Sequence, residues 1–263
     1  MDGLDKIDAT VAHSARVWNY WLGGKDNFAA DRLAGDRLME ITPDLIVSVR
    51  ASRAFLGRAV RYLVGAGIRQ LLDIGTGLPT ADNTHEVAQA IAPGSRVVYV
   101  DNDPIVLVHA RALLTSSPEG ATDYIDADVR DPDAILRAAA RTLDLDQPVA
   151  VLLLGTLNFV EDTAEAVTIV RRLMAAVPSG SYLVIGHPTT EVNRAEAERI
   201  LALWNKVGSV RQALRSRTEL ARFFEGLEMV EPGLVSCTRW RPHPDDPLAD
   251  VDVPQFGGVG RKA

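Results

Sequence analysis

Leu71-Leu72-Asp73-Ile74-Gly75-Thr76-Gly77-Leu78-Pro79-Thr80 is the stretch from which the rest of this 263-residue chain is read. A short apolar run ends at an acid, and a Gly-x-Gly loop carries the chain into a helical pattern. Gly75 and Gly77 let the backbone turn tightly and approach a ligand with no Cβ in between. In open parallel sheets, ligands bind beyond the carboxyl ends of the strands, at the switch point beside the first strand. The competing reading is a plain strand–helix turn that needs glycine, since short glycine motifs recur widely.

The surrounding sequence alternates between short apolar runs and amphipathic stretches. Strands are expected at 70–74, 96–100, 123–126, 149–154 and 181–185. The second, fourth and fifth are nearly continuous in apolar residues, as strands are when helices cover both sheet faces. Helices are expected at 84–92, 104–114, 132–142 and 163–177, behind Asp103, Asp131 and Asp162 as N-caps. This alternation implies a doubly wound, mostly parallel sheet with right-handed crossovers.

Two regions fall outside the repeat. Residues 1–66 read as a helical extension packed on the core, with helices ending at Gly23-Gly24, spanning 31–40, and spanning 43–64 behind Thr42. Within the main domain, 67–242, residues 190–215 form a charged helical insert, and Ser216 with Glu219 makes a capping box. Two closing strands at 227–230 and 235–241 bring the sheet to seven. Residues 243–263, rich in Pro, Asp and Gly, read as a loose tail.

Hydrophobic residues make up 47% and charged residues 24%, which suits a globular domain with a real core. The formal net charge is -7, and no basic stripe is visible, so nucleic acid is not expected as a partner. The one cysteine, Cys237, precludes an internal disulfide and suits a reducing, cytoplasmic setting. No signal-peptide pattern opens the chain, and no apolar run is long enough for a bilayer, so no membrane partner is expected. The five histidines show no metal spacing.

The second strand ends in Val100-Asp101-Asn102-Asp103, and Asp101 stands 24 positions after Gly77. Nucleoside-binding sheets place an acid about 20 residues on, where it accepts the ribose hydroxyls. Asp103, just before Pro104, is better placed to cap the following helix, which leaves Asp101 free. A dinucleotide fingerprint would carry glycine at Thr80, and Asp73 would repel a pyrophosphate, so the pattern favours a cationic or amino-bearing nucleoside. Asp128 and Val129 follow the third strand, where an acid and a backbone N–H can meet an adenine; an acidic helix-capping loop is the alternative. His187, just past the fifth strand, is the one histidine to test as a general base, against the reading of a solvated loop residue.

The order Asp73-x-Gly75-x-Gly77, Asp101, Asp128-Val129 resembles the class I S-adenosylmethionine-dependent methyltransferases, which have a Rossmann-like fold. The segment Ser14-Ala15-Arg16-Val17-Trp18-Asn19-Tyr20-Trp21-Leu22-Gly23-Gly24-Lys25-Asp26-Asn27-Phe28 is more specific. With Tyr99-Val100-Asp101-Asn102-Asp103-Pro104 and Cys237-Thr238-Arg239-Trp240-Arg241-Pro242, it closely resembles an actinobacterial S-adenosyl methyltransferase family, over roughly residues 10–242. The resemblance implies S-adenosyl-L-methionine as cofactor. Asp73, Gly75, Thr76 and Gly77 would lie against its methionine and ribose parts. Asp101, beside Asn102, would hold the ribose, and Asp128 and Val129 the adenine. The loop Gly155-Thr156-Leu157-Asn158-Phe159 would border the sulfonium and the methionine end. A reversed last strand is implied as well.

The aromatic N-terminal segment suits a lid over a cationic cofactor, with Tyr20, Lys25 and Asn27 expected to touch the pocket; the alternative is that Trp18, Trp21 and Phe28 are packing residues. Arg194, Arg199, Trp204 and Arg211 of the insert are candidates for an acceptor wall. The function expected is methyl transfer to an unidentified, small-molecule acceptor. The rivals are a nicotinamide-dependent oxidoreductase, a non-catalytic cofactor-binding regulator, and an interaction module built on the insert.

Overall fold

The computed structural model describes residues 8–79, 82–113 and 116–263. Thr80 and Leu114 lie outside the described residues. Eight strands form one sheet: β1 (Gln70–Ile74), β2 (Arg96–Asp101), β3 (Ala121–Asp126), β4 (Ala150–Leu154), β5 (Tyr182–Pro188), β6 (Leu227–Met229), β7 (Val235–Ser236) and β8 (Gln255–Lys262). Seven follow one path, β3-β2-β1-β4-β5-β8-β6, and β7 pairs with β8 off that path. β1 pairs in parallel with both β2 and β4, so the chain reverses direction across the sheet beside β1. That reversal opens a crevice at the strands' carboxyl ends.

Residues along each strand alternate between the two faces. Leu72 and Ile74 of β1 join one core with Leu183 and Ile185 of β5. Leu71 joins the other, beside Leu152 and Val184. The first face is covered by α6 (Pro132–Ala139) and α7 (Thr163–Ala175), the second by α3 (Leu45–Gly65) and α4 (Thr84–Ile91). Asp131 and Asp162 cap their helices through the amides of Ala134 and Ala164. Ser216 and Glu219 close the expected capping box on α9 (Arg217–Ala221).

α3 shows where the extension differs from expectation. Its N-cap is Asp44, not Thr42. Phe55, Ala59, Val60 and Leu63 are fully buried against the sheet, so α3 is a layer of the main core. Above it, α1 (Ser14–Trp21) and α2 (Ala29–Ile41) pack on each other, and α2 packs on α8 (Arg194–Val207) from the insert. α5 (Pro104–Leu113) follows β2.

The tail is the main correction. Residues 255–262 are not loose: β8 runs antiparallel to β5 through seven register pairs and separates it from β6. Its sequence conceals this, because Gly257-Gly258-Val259-Gly260 has no hydrophobic alternation. The glycines are there because neighbours press on the strand. A Cβ added at Gly257 would meet the Phe55 ring at 2.7 Å, and one at Gly260 would meet Phe224 at 2.9 Å. The expected strand at 235–241 shortens to β7, followed by a 3-10 turn, Cys237–Arg239. Trp240 then turns inward, fully buried, edge-on to Phe55 and Tyr62. Among the described residues, no helix is long and apolar enough to cross a membrane.

Candidate functional site

At the carboxyl edge of β1, β2 and β4, between the sheet and the helices α1 and α3, lies a cleft of about 240 Å³. Its floor is the glycine loop. Gly75 has φ +75° and Gly77 φ +65°, a region that side chains rarely enter. Gly75 N–H donates to Val100 O at 2.7 Å, which pins the loop to β2. Thr156, after β4, donates its hydroxyl to Ile74 O at 2.7 Å. The ends of β1, β2 and β4 are thus tied together by one backbone hydrogen bond and one from the Thr156 hydroxyl.

Asp101 lines this cleft and is only 9% exposed. Its Oδ2 accepts the Gly77 N–H at 2.8 Å and its Oδ1 the Asp103 N–H at 3.0 Å. A carboxylate offers about four acceptor positions, so two remain for a ligand. Burial pushes its carboxyl above the usual carboxylate range, while the two N–H groups resist the shift. Asp103 caps α5 through the Ile105 N–H, as expected, at 2.9 Å. Its Oδ2 stands 2.8 Å from His13 Nδ1 of the α1 entry. Burial pushes the Asp103 carboxyl up, but His13 and the Ile105 N–H outweigh it and hold the group below its ordinary value.

Asp73 is buried on the α3 side of β1, where strand alternation places it with Leu71. Burial lifts its carboxyl to about 6, against the Thr84 hydroxyl that donates to it at 2.6 Å and against Arg53. Arg53 of α3 also lines the cleft, and its Nη2 donates to Asp82 O. Thr76 Oγ1 lies 3.2 Å from the Tyr124 hydroxyl of β3, and the Tyr124 ring stacks on Tyr99. Asn102, Asp128, Val129 and Arg130 continue the cleft wall. Asp128 accepts the Arg130 N–H and, at 3.4 Å, the Asn102 amide.

The cleft therefore gathers Asp73, Gly75, Thr76, Gly77, Asp101, Asn102, Asp128, Val129, Gly155 and Thr156 from the sequence expectations. Four expected residues lie elsewhere. Leu157 is fully buried in the core beneath the site, while Phe159 of the same expected loop lines the cleft. Tyr20, Lys25 and Asn27 do not line it. α1 does lie over the site, but its helical period presents Ser14, Ala15, Trp18, Asn19 and Leu22. The Tyr20 hydroxyl instead donates to Asp36, and the Asn27 amide to Asn19 Oδ1 and Gly24 O. A 3.6-residue projection of 14–22 is the signal that would have found the correct face.

His187 is overturned both as a base and as a solvated loop residue. It lies within β5, fully buried, on the face opposite α3, beside Phe223. Its Nδ1 donates to Pro188 O at 2.7 Å, which leaves Nε2 to accept from Arg215 Nη1 at 2.7 Å. Burial first, then the Arg215 charge, pushes its pKa down to about 3. Of the insert, Val210 lines the cleft, but Arg194, Arg199, Trp204 and Arg211 do not: Trp204 donates its ring N–H to Val210 O, and Arg211 pairs with Glu161. Among the described residues, no group of three or more His, Cys, Asp or Glu is placed to hold a metal. Sequence reasoning missed Ser52, Phe55 and Leu56 of α3, and Cys237 and Gln255 from the far end of the chain.

A family model described as S-adenosyl methyltransferase matches residues 2–263. Among curated proteins, none matches. A DUF574 family protein from Streptomyces avermitilis is similar at 48% identity and a TM-score of 0.94, over 98% of this chain and all of the other. A protein from Thermobifida fusca, solved as a candidate methyltransferase, is similar at 39% identity and a TM-score of 0.88, over 97% of this chain and 96% of the other. The fold is also shared with mitomycin 7-O-methyltransferase MmcR, at 19% identity and a TM-score of 0.53, over 94% of this chain and 68% of that one. Nothing among these matches points to a nicotinamide oxidoreductase.

Proposed function

The chain belongs to the S-adenosyl methyltransferase family, and from that premise we propose which residues hold S-adenosyl-L-methionine and what kind of acceptor receives its methyl group. The enzyme is an S-adenosylmethionine-dependent methyltransferase. The adenosine lies across the ends of β2 and β3, its ribose hydroxyls on Asp101 and its adenine against Asp128 and Val129. The amino-acid end lies over Gly75, Thr76 and Gly77, near Asp73 and Arg53. Gly155 and Thr156 border the reacting side. The observation that carries this reading is Asp101, a nearly buried carboxylate whose two backbone partners leave acceptor capacity beside a floor without Cβ atoms.

The residues present suit that cofactor. It needs an acceptor pair for vicinal hydroxyls, acids near an ammonium and a sulfonium, and a close backbone approach. Asp101, Asp73 and the glycine loop supply these in turn. When bound, the cofactor supplies an electrophilic methyl group on sulfur. The chain's own part is placement: an acceptor held in line, about 3–3.5 Å from that methyl, with water kept out. α1 closes over the cleft with Trp18 and Leu22 and serves the second purpose. His187, neutral and facing the other core, takes no part in proton removal. A partly covered cleft of about 240 Å³ under α1 suits a small-molecule acceptor.

Calorimetry with S-adenosylhomocysteine and with NAD tests the assignment. Wild type should bind the first and not the second. Asp101→Asn keeps the shape but loses charge and acceptor capacity, so its affinity should fall at least about 30-fold, the equivalent of ~2 kcal/mol for hydrogen bonds to a charged group. An affinity within about threefold of wild type would end the ribose assignment.

A further inference from the structure

The end of the cleft away from Asp101 carries a polar group with no partner. Gln255 is the first residue of β8, and because β8 runs antiparallel, that first residue sits at the carboxyl edge of β5, opposite Pro188. Strand alternation puts Gln255 on the α3 face with Gly257 and Val259. It lines the cleft, is 8% exposed, and its side-chain carboxamide makes no hydrogen bond among the described residues. Its polar atoms are not sealed off but reach the cleft, so the amide is open to a ligand there.

β8 lies two strands beyond β4, about 10 Å at ~4.8 Å per strand. That is past the Gly155-Thr156 turn and on the side away from β2 and β3. The walls around it are Phe55 and Leu56 of α3, Leu154, Gly186 and Cys237. Gly257, opposite Gly186 in the ladder, lets the Phe55 ring settle onto the sheet. None of these groups is charged. The Cys237 thiol is pushed up to about 12 by burial and stays neutral. Ser52 donates its hydroxyl to Ser48 O. Arg53 is turned toward Asp82 and Asp73, over β1. A charged ligand at the β8 end would be desolvated without a counter-charge, which is costly.

We infer that Gln255 marks the acceptor subsite, and that the acceptor is an uncharged, mostly apolar small molecule presenting a hydroxyl or carbonyl to the Gln255 carboxamide. This rests on the cofactor placement given above. The test is calorimetry on the full chain saturated with S-adenosylhomocysteine. The probes are para-hydroxyacetophenone against its anionic match para-hydroxybenzoate, and the corresponding acetyl and carboxyl naphthols. Each neutral probe should bind at least about tenfold more tightly than its carboxylate match. Gln255→Leu should weaken the neutral probes about fivefold to tenfold, as expected for one neutral hydrogen bond, while S-adenosylhomocysteine affinity stays within about twofold. The probe pairs on the wild-type chain decide the question even if the variant does not fold. Equal affinity within both pairs, no binding of either neutral probe, or a Gln255→Leu chain that keeps both affinities overturns the inference. If wild type does not bind S-adenosylhomocysteine, the cofactor placement falls first and this inference with it.

Discussion

Gly75→Ala adds one methyl group where β1 enters the cleft. Gly75 holds φ at +75°, and alanine in the left-handed region costs roughly 1–2 kcal/mol. The added Cβ would collide with Thr156 Oγ1 and stand 2.8 Å from Thr156 Cγ2 and 2.9 Å from its Cβ. Thr156 is 8% exposed, so it has little room to move. It is also tethered, because its hydroxyl donates to Ile74 O at 2.7 Å. Displacing it gives up a hydrogen bond of about 1 kcal/mol and adds packing strain of ~1 kcal/mol or more. The total is about 3–4 kcal/mol, large against a typical folding free energy of roughly 5–15 kcal/mol. Equilibrium urea unfolding of Gly75→Ala, Thr156→Gly and the double variant separates the contributions. Thr156→Gly alone should cost about 2 kcal/mol, from the lost hydrogen bond and the added backbone entropy. In the double variant the collision is gone, and Gly75→Ala should add only the φ strain, so the two changes should couple by about 2 kcal/mol. Additivity to within ~0.5 kcal/mol would refute the steric account.

Asp73 gives a pH signature. Its carboxyl is raised from 3.8 to about 6 in the folded chain, so between those values the folded state holds a proton that the unfolded state has lost. Wild-type stability should therefore fall as pH rises from about 4 to 6, by an amount of order 2–3 kcal/mol. Asp73→Asn should remove that fall in pH-dependent urea midpoints, and an unchanged profile would contradict the burial argument. Arg215 holds Leu157 O, Val160 O, Thr163 Oγ1 and His187 Nε2 together. Arg215→Met should destabilise by about 3–5 kcal/mol, because it leaves several buried acceptors unmet, and a loss below ~1 kcal/mol would show that the network is dispensable. In the wild type, NMR titration should find the His187 ring neutral throughout pH 5–8, whereas a midpoint near 6.5 would mean the ring is solvated. Removing residues 255–263 should abolish cooperative unfolding and leave the chain protease-sensitive; a truncated chain that still unfolds cooperatively would show that β8 is dispensable.

Local chemistry wrote much of this protein in plain view. The five central strands, the caps at Asp103, Asp131 and Asp162, and the box at Ser216 and Glu219 depend on neighbours within a few positions. So does the glycine turn after Asp73, and all of these were legible from period and residue type. Asp101 was legible because its distance from the glycines is a property of one strand–helix–strand unit. The N-terminal helix was half legible: a segment over the cleft was expected, but the side chains facing it differ, since aromatic content says less about direction than the 3.6-residue period does.

Contacts between distant segments left no local trace. β8 has neither alternation nor β-branched richness, and it is a strand because β5 and β6 supply hydrogen bonds on both its edges while Phe55 and Phe224 press where a Cβ would stand. His187 resembles a loop histidine until Arg215, 28 positions later, packs against it and leaves it neutral and buried. Gln255 enters the cleft only because its strand returns antiparallel, which brings the far end of the chain to the ligand edge of the sheet. The β1–β2 side of the cleft was readable from sequence, because one crossover unit carries Asp73, the glycine turn and Asp101. The opposite side of the cleft is assembled from α1, α3, β5 and β8, and only the packed structure could bring these together, because they are far apart along the chain.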